Sequence, residues 1–426
     1  MSKIIIAGGG WAGVSAAVAA RNAGADVVVL ERADMLLGTG LVGGIMRNNG
    51  RFTATEEAYA MGGGEIFQVI DNNARHTNIE FPGHKHSSLY DIATMEPAIK
   101  KLLLSKGVEI RLSARVTDVI MDGKVIKGVK VGDEVLNGDA FIDTTGTAGP
   151  MANCQKYGNG CAMCVLRCSS FGGRVSLAEK AGVAEFVGKK SNGDIGAMSG
   201  SCKLLKESLS NEIFNQLNTT GVAVVPIPKK LIKGEDKLSK KACQQYALKE
   251  FAENIILLDT GHAKLMSPYY PLDQLRQVPG FENARFEDPY SGGMGNSMRY
   301  FSLCPRDNAL KVEGAENLFC GGEKAGLLVG HTEAIVTGTL AGHNAVRFAK
   351  NKELLVISEE LCIGDAISHV NDEMKTEKGL GQKYTFSGSV YFTRMKEKGL
   401  YSTDINKIKE RVAKAGLADV FSKPIK

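Results

Sequence analysis

The cysteines of this sequence have a spacing that indicates chemistry. Cys161, Cys164 and Cys168 lie in the segment GNGCAMCVLRC, and Cys154 precedes the first of them by seven residues. Two of these thiols could form a dithiol that exchanges electrons with a redox cofactor. The three could instead hold zinc or an iron–sulfur cluster, with Cys154 or Cys202 as the fourth ligand. Buried or idle thiols in a reducing cell are the third alternative, and the spacing leaves all three open.

A glycine-rich turn between two apolar runs indicates a different chemistry, the binding of a dinucleotide. Residues 3–31, KIIIAGGGWAGVSAAVAARNAGADVVVLE, are predicted to form strand, glycine turn, helix and strand, ending on an acid. Gly8 would make the tight turn, Gly10 would let the backbone approach a pyrophosphate, and Gly13 would let helix and strand pack closely. The amides and dipole of the helix N-terminus would hold the anion, and Glu31 would accept hydrogen bonds from ribose hydroxyls.

The composition is that of a globular protein with a large core. The chain has 426 residues, of which 43% are hydrophobic and 23% charged, and 50 are glycine. Its formal charge of +5 suits an anionic cofactor or substrate and does not by itself indicate nucleic acid. The chain begins with a strand rather than a leader, and no apolar run approaches the roughly 20 residues that span a bilayer. Nine cysteines without a secretory signal predict a reducing cytoplasm.

The segment after the first unit is predicted to supply the second half of a nucleotide-binding domain. A helix is predicted at 90–106 and a buried strand at 108–112. Further strands are predicted at 116–121, 125–131 and 140–143, and the last of them leads into Thr145 and Gly146. This order of helix, strand, β-meander and Thr-Gly turn is typical of a two-part FAD-binding domain. It distinguishes a flavoprotein from a plain NAD dehydrogenase.

A late glycine-rich segment is predicted to complete the same domain. Residues 317–320 form a short predicted strand that leads into Gly321, Gly322 and Glu323. A helix with small residues is predicted to begin near His331. Its N-terminus would point at the pyrimidine edge of the flavin, where negative charge collects on reduction. Cys320, beside the turn, is interpreted as a core residue that could also lie near the flavin.

Two stretches of the chain resemble the closing part of the glucose-inhibited-division-protein-A superfamily, namely PGFENARFEDPYSGG and NLFCGGEKAGLLVGHTEAIVTGTLAGHNAVR. This superfamily includes tRNA-uridine carboxymethylaminomethyl-modifying flavoproteins and folate-dependent tRNA-uridine methyltransferases. The similarity covers residues 1–50, 95–150 and 279–350. It implies FAD as cofactor, and it makes these residues of the closing motif candidate FAD contacts: Gly322, Glu323, Gly330, Thr332, Glu333 and Ala334.

The chain departs from this superfamily at several positions. It has Glu323 where the family usually has Gln, and His331 where the family usually has an aromatic residue. The methyltransferases' Asn-Cys-Pro-Met signature is absent, and the large C-terminal helical domain is missing or reduced to a short tail. The cysteines at 161–168 have no obvious counterpart in those RNA-modifying relatives. The resemblance therefore implies FAD and leaves tRNA modification as an alternative.

The predicted fold class is α/β. It comprises a two-part, glutathione-reductase-like Rossmann FAD-binding domain, an inserted α+β substrate domain and a short helical C-terminal appendage. The FAD-binding domain is assigned to 1–50, 95–150 and 305–350, the substrate or cap domain to 51–94 and 151–304, and the appendage to 351–426. The residues predicted to bind the cofactor are Gly8, Gly10, Trp11, Ala12, Gly13, Glu31, Arg32, Gly44, Val116, Thr145, Gly146, Gly322, Glu323, Gly330, His331, Thr332 and Ala334.

Three further segments carry expectations about structure or ligands. Residues 53–79 are predicted to be mainly helical. His84 and His86, with His76 upstream, could contribute to a metal site, although no third ligand is evident. Residues 229–241 carry six lysines and are interpreted as a solvated loop and helix start, or as a phosphate-contacting patch for RNA.

The first functional hypothesis is a cytoplasmic FAD-dependent oxidoreductase. It would pass hydride or electron pairs between the flavin and an unidentified small-molecule or protein partner, with Cys161, Cys164 and Cys168 as a candidate dithiol or iron–sulfur relay. The sequence has no second glycine fingerprint, so NAD(P)H would bind transiently or is not the reductant. The alternatives are a flavin-dependent uridine-modifying enzyme of tRNA or rRNA and a flavin electron-transfer subunit of a larger complex. We expect a homo-oligomer that does not associate with membranes.

Overall fold

The computed structural model describes residues 1–146, 175–189, 193, 197–199, 202–232, 246–266, 270–287, 297–299 and 301–426. None of the helices in these ranges combines the length and the apolar character that a bilayer crossing requires. The predicted cysteine site at Cys154, Cys161, Cys164 and Cys168 lies outside the described residues, as do residues 233–241 of the lysine-rich stretch.

Strands occur throughout the described part of the chain. In chain order they are β1 (Lys3–Ala7), β2 (Asp26–Leu30), β3 (Ile45–Met46), β4 (Ala74–Phe81), β5 (His84–Tyr90), β6 (Glu109–Arg111), β7 (Val116–Asp122), β8 (Val125–Val131), β9 (Glu134–Asn137), β10 (Ala140–Asp143), β11 (Phe186–Val187), β12 (Ala197–Ser199), β13 (Cys202–Leu204), β14 (Val222–Pro226), β15 (Asn254–Asp259), β16 (Ala263–Leu265), β17 (Ser297–Arg299), β18 (Ser302–Leu303) and β19 (Leu318–Cys320).

Helices cover the main sheet and make up most of the C-terminal region. In chain order they are α1 (Trp11–Asn22), α2 (Gly50–Ala60), α3 (Glu65–Asn72), α4 (Met95–Ser105), α5 (Leu177–Lys180), α6 (Asn211–Thr220), α7 (Lys249–Glu253), α8 (Leu272–Leu275), α9 (His331–Ala349), α10 (Cys362–Glu373), α11 (Glu377–Leu380), α12 (Ser389–Glu397) and α13 (Ile405–Lys414).

A five-stranded parallel sheet forms the centre of the fold. Its strand order is β19-β10-β1-β2-β6, and Ile5 of β1 lies opposite Phe141 on one side and Val28 on the other. Strands β1, β2, β10 and β19 are mostly apolar and buried because other elements cover both faces of the sheet, whereas the edge strand β6 is partly exposed. The predicted α/β fold with a Rossmann-like sheet is therefore confirmed, and the antiparallel β7-β8-β9 meander stands between β6 and β10 as expected.

The inserted region has a separate antiparallel sheet and its own apolar core. The sheet has the order β13-β16-β15-β14, and α6 packs on it through the buried Ile213 and Leu217. A smaller sheet, β3-β5-β4, meets this unit in a third cluster in which Phe81 and Leu89 pack with Phe251. The two smaller sheets therefore pack against each other through this cluster.

Strand β4 and helix α4 differ from the secondary structure that the sequence predicts. Helices α2 and α3 occur as expected, but residues 74–81 form a strand rather than the end of a helix. The strand was missed because its pairing with β5 shifts register at three places, which breaks the alternation of apolar and polar residues. The predicted helix at 90–106 begins at Met95, since Tyr90 is the last residue of β5.

The C-terminal region is helical, as predicted, and it packs into the main core. Side chains such as Ile367, Tyr391 and Val412 belong to the same apolar cluster as the central sheet. The amide of Phe421 donates to the carbonyl of Met61 at 2.9 Å. The proposed domain boundaries remain a prediction, but residues 351–426 are not structurally separate from the rest.

Candidate cofactor-binding site

The glycines of the first turn lie in three different environments. Gly8 has φ +102°, and a β-carbon built on it would lie 2.4 Å from the carbonyl oxygen of Thr144. A β-carbon on Gly13 would lie 1.8 Å from the carbonyl oxygen of Gly8, so helix and turn touch there. For Gly10, by contrast, no atom of the described residues beyond its chain neighbours lies within 4 Å of that position. Gly8 and Gly13 are required by the backbone, whereas Gly10 faces open space.

A first cavity, which we call the Glu31 cavity, lies beside this turn and has a volume of about 110 Å³. Of the residues predicted to bind the cofactor it brings together Gly8, Gly10, Glu31, Arg32, Val116, Thr145 and Gly146. The sequence did not single out the other lining residues, which are Ala7, Leu30, Leu37, Gly38, Thr39, Ala114, Arg115, Thr144 and Val175.

Glu31 orders the loops around the Glu31 cavity. Its Oε2 accepts a hydrogen bond from the amide of Gly9 at 2.7 Å, and its Oε1 accepts from the amide of Ala33 at 2.8 Å. Arg115, on the same cavity, has a buried Nε without a hydrogen-bond partner among the described residues. The cavity therefore combines a fixed carboxylate with an arginine side chain on its wall.

A second cavity, the His331 cavity, has a volume of about 130 Å³ and continues from the first. The two share Gly10, Leu37, Thr39, Thr144 and Gly146, so together they form one groove. The other predicted residues on its wall are Trp11, Ala12, Gly322, Glu323, Gly330, His331 and Ala334.

Two helix N-termini meet at this groove. Helices α1 and α9 begin after Gly10 and Gly330, and within the described residues no side chain caps either start. Amides of a first helical turn have no acceptor inside the helix, and the helix dipole adds partial positive charge at the same end. The N-termini of α1 and α9 at one groove therefore favour a ligand that carries negative charge between the group in the Glu31 cavity and the group in the His331 cavity.

Three of the predicted cofactor-binding residues line neither cavity. Gly13 packs against Gly8, and Gly44, with φ +88°, lies against the side chain of Thr260. Thr332 is fully buried, and its hydroxyl has no partner in the part of the chain that the structure describes.

Glu333, a candidate FAD contact by resemblance, also lies away from both cavities. Its carboxylate pairs with Arg51 at 3.2 Å and accepts from the amide of Phe386 at 2.9 Å. It therefore ties the start of α9 to the C-terminal region.

Cysteines with described positions are buried and not bridged. These are Cys202, Cys304, Cys320 and Cys362. Burial raises the pKa of the Cys304 and Cys362 thiols, so both stay protonated and are poor nucleophiles. Cys320 is fully buried in the main core, beside the groove residue Gly321.

A buried charged cluster behind the groove had no signal in the sequence. Lys324 and Glu185 form an ion pair with almost no exposure, and Asp143 lies 3.9 Å from the ammonium group. Asp143, Glu185 and Cys304 also form the one described group of three side chains whose ligand atoms lie within 4.8 Å of one another. The Lys324 ammonium already supplies a positive charge there. The three are far apart in sequence, and no local pattern connects them.

The histidines considered as metal ligands have separate partners. His76 Nε2 lies 2.9 Å from Asp259 Oδ2, His84 Nδ1 lies 3.0 Å from the side-chain Nδ2 of Asn48, and His86 Nδ1 lies 3.3 Å from Asn78 Oδ1. None of them belongs to the candidate metal group found among the described residues.

Family models match two parts of the chain. Residues 3–155 match the model described as FAD dependent oxidoreductase. Residues 258–353 match the model described as glucose inhibited division protein A. The first match covers the glycine turn and the Glu31 cavity, and the second covers the wall of the His331 cavity that α9 supplies. These matches confirm the predicted resemblance to the GidA-like, FAD-dependent superfamily, and they support an enzyme of the FAD-dependent oxidoreductase class.

Solved structures show the same fold. The form II crystal structure of Aquifex aeolicus GidA has 18% sequence identity and a TM-score of 0.68, and the match covers 99% of this chain and 74% of that one. The form I crystal structure of the same protein has 17% identity and a TM-score of 0.63, covering 97% of this chain and 78% of that one. The similarity therefore extends over almost the whole described chain.

The residues present fit FAD. The open space at Gly10 lies between two cavities, as a pyrophosphate between an adenosine and a flavin requires. Both helix N-termini favour the negative charge of the pyrophosphate, and Arg115 adds positive charge on the wall of the Glu31 cavity.

Proposed function

We propose that FAD lies extended along this groove and passes electron pairs to or from a substrate at the His331 end. The convergence of α1 and α9 on the open space at Gly10 carries this proposal. Adenosine would occupy the Glu31 cavity, and the flavin would occupy the His331 cavity. When bound, FAD supplies the hydride or electron-pair chemistry.

Each part of the groove has a distinct task in this proposal. At the adenosine end, Glu31, Val116 and Thr145 would contact ribose and base, and Gly146 would leave room for them. In the middle, the amides of Trp11 and Ala12 would hold the pyrophosphate. At the flavin end, Gly322, Gly330 and Ala334 would allow close approach of the ring, and the dipole of α9 would stabilise negative charge.

The test is a pair of variants in one turn. The β-carbon of Gly10→Val meets no described atom within 4 Å, so the apoprotein should keep most of its stability and lose FAD. Gly13→Val introduces a contact 1.8 Å from Gly8 and should lower stability as well. Flavin absorbance after reconstitution and thermal melts of the apoprotein measure both effects. Wild-type protein that takes up no FAD, or Gly10→Val protein that binds it normally, would refute the proposal.

The cysteine relay stays part of the proposal at Cys161, Cys164 and Cys168, with Cys154 as a fourth ligand if the site holds iron and sulfide. Iron, zinc and acid-labile sulfide assayed on anaerobically purified protein separate the alternatives. A dithiol would instead be alkylated at two cysteines after NADH, NADPH or dithionite reduction and protected after oxidation.

A second candidate function is uridine modification in RNA. It is supported by the match of residues 258–353 to the glucose inhibited division protein A model. Lys229 and Lys230 are also exposed on a short turn of the inserted region. Binding to phosphates predicts an affinity for tRNA that falls steeply with salt, by about 0.7–0.9 log units per contact for each tenfold rise. Affinity no better than for a neutral polymer at low salt would eliminate it.

A further inference from the structure

Three aromatic rings from distant parts of the chain meet at the His331 end of the groove. Trp11 is the first residue of α1, Tyr90 the last residue of β5, and His331 the first residue of α9. The imidazole centroid lies 5.8 Å from the indole and 6.4 Å from the phenol ring, and the indole lies 6.1 Å from the phenol. Trp11 and His331 both line the cavity.

The imidazole and the phenol also share a hydrogen bond. Tyr90 Oη lies 3.3 Å from His331 Nδ1 and 3.4 Å from the carbonyl oxygen of Gly40. Tyr90 is fully buried, and this burial raises the pKa of its phenol well above the ordinary value. The hydroxyl therefore keeps its proton at neutral pH and can donate it to either acceptor.

The direction in which the Tyr90 hydroxyl donates is coupled to the tautomer of the His331 imidazole. When Tyr90 donates to Gly40, Nδ1–H of His331 can donate to the phenol oxygen, and Nε2 is then the basic nitrogen. When Tyr90 donates to Nδ1, the proton of neutral His331 is on Nε2, which becomes a donor. The two hydroxyl directions therefore fit opposite tautomers, one with Nε2 as proton acceptor and one with Nε2 as proton donor. Passing between them requires loss of the Nδ1 proton and gain of a proton at Nε2, as well as rotation of the O–H bond.

The loop at residues 38–43 fixes this arrangement. A β-carbon on Gly43 would lie 1.6 Å from Cε1 of His331, and one on Gly40 would lie 2.6 Å from Nε1 of Trp11. The rings therefore pack directly against the backbone of the loop, and the imidazole has no space to swing towards it.

Charged groups surround the pair on several sides. Arg51 of α2 pairs with Glu333 of α9, and both side chains are buried. Glu323 lies on the wall of the same cavity. The Arg51–Glu333 pair is formally neutral, and the N-terminus of α9 contributes partial positive charge at His331.

We propose that His331 exchanges a proton with the substrate and that Tyr90 is its positioning residue. This inference rests on the proposed function and names a substrate class: an alcohol or amine, or the carbonyl or imine formed from it. In oxidation, the C–H bond gives up a hydride to the flavin, and the O–H or N–H bond gives up its proton to the imidazole. The electrons left on oxygen or nitrogen form the C=O or C=N bond, and reduction reverses each transfer.

The first test uses Trp11, which is the single tryptophan of the chain. Because protonated imidazole quenches a nearby indole, fluorescence of the full-length protein should show a one-proton step as the pH is varied. His331→Gln and His331→Phe should lose the step, Tyr90→Phe should move its midpoint, and His369→Gln on α10 should leave it unchanged. A step that persists in both His331 variants, or none in wild type, would overturn the role of His331. If the midpoint of the step were unchanged in Tyr90→Phe, the positioning role of Tyr90 would be overturned.

The second test separates this inference from the proposed function. In the flavin-loaded protein, the midpoint potential plotted against pH should show an inflection in wild type that is lost in His331→Gln. Protein that binds no FAD would refute the proposed function, while the fluorescence step could still be present. Protein that binds FAD normally and shows the same inflection in His331→Gln would refute the inference alone.

Discussion

Gly338 of α9 lies directly on the backbone of Ala12 in α1. A β-carbon built on Gly338 would come within 2.1 Å of the Ala12 carbonyl oxygen. One turn further along, a β-carbon on Gly342 would come within 2.2 Å of the Ala16 carbonyl oxygen. The two helices therefore cross at backbone contact, and this contact brings both of their N-termini to the groove.

Gly338→Ala tests whether this contact aligns the site. The added methyl group must push α1 and α9 apart, and overpacking of this kind costs about 1–3 kcal/mol of unfolding free energy. FAD affinity should fall as well, since the two N-termini would no longer meet at the same distance. Urea denaturation of the apoprotein and FAD titration measure the two effects.

Gly10→Ala is the matched control for Gly338→Ala. It adds the same methyl group at the start of α1, but into open space, so it lacks the overpacking cost and should lower the unfolding free energy less than Gly338→Ala does. Equal stability losses in both variants would mean that the helix contact is not the cause.

Arg115 should contribute to FAD binding without contributing to stability. Arg115 lines the Glu31 cavity, and its buried Nε has no partner among the described residues, so the side chain adds positive charge for a ligand without a bond from Nε that the fold depends on. Arg115→Met should weaken FAD binding by roughly tenfold, the size of one hydrogen bond to a charged group. Arg111→Met is the control because Arg111 pairs with Glu109 and Glu134 on the surface. Equal FAD affinity in the two variants would contradict this assignment.

The parts of the fold that the sequence predicts are those with local signals. The glycine turn, the meander strands and the start of α9 depend on residues a few positions apart, and their predicted and observed bounds agree closely. Helix α13 shows what the sequence pattern of the C-terminal region does not reveal. Its lysines suggest an exposed appendage, but Ile408 and Val412, four residues apart, form a buried stripe on the opposite face.

The parts of the site that were missed depend on contacts across the chain. Small residues on α9 were visible in the sequence, but nothing local shows that Gly338 meets Ala12. Glu185 and Lys324 are likewise ordinary charged residues until the fold buries them together. Arg115 precedes β7 with no motif around it, so only the cavity shows its exposure to a ligand.

The ion pair of Lys324 and Glu185 should be strongly stabilising relative to either half alone. Both side chains are almost fully buried, and Ser176 donates to Glu185 at 2.5 Å. Lys324→Met leaves a buried carboxylate without its cation, which costs about 3–5 kcal/mol. Lys189→Met is the control, because Lys189 pairs with the exposed Glu377 and should change stability by at most about 0.5 kcal/mol.

The same ion pair predicts a pH dependence. Burial alone would raise the pKa of the Glu185 carboxyl, but Lys324 and the serine hydroxyls outweigh it and lower that pKa. The stabilisation from the ionised Glu185 is therefore fully present above the pKa of about 4.3 that a glutamate has in the unfolded chain. It is lost as the pH falls through the lower pKa of Glu185 in the folded protein. The gap in unfolding free energy between wild type and Lys324→Met should be largest near neutral pH and should shrink in acid. A gap that is constant with pH would contradict this origin.

Arg411 of α13 should tie the C-terminal region to the rest of the protein. It donates to the fully buried Glu57 of α2 at 2.9 Å, and the same carboxylate accepts from the amides of Cys362 and Ile363 at the start of α10. Burial raises the pKa of Glu57, so its charge depends on these donors. Arg411→Leu should therefore lower the unfolding free energy by about 3–5 kcal/mol. We expect the whole chain to unfold in a single calorimetric transition, and its midpoint temperature should fall in this variant. Lys409→Leu is the control because Lys409 lies on the exposed face of the same helix, and it should leave the unfolding free energy and the transition temperature nearly unchanged. If calorimetry instead showed two transitions and Arg411→Leu shifted only the one at lower temperature, residues 351–426 would unfold as an independent unit.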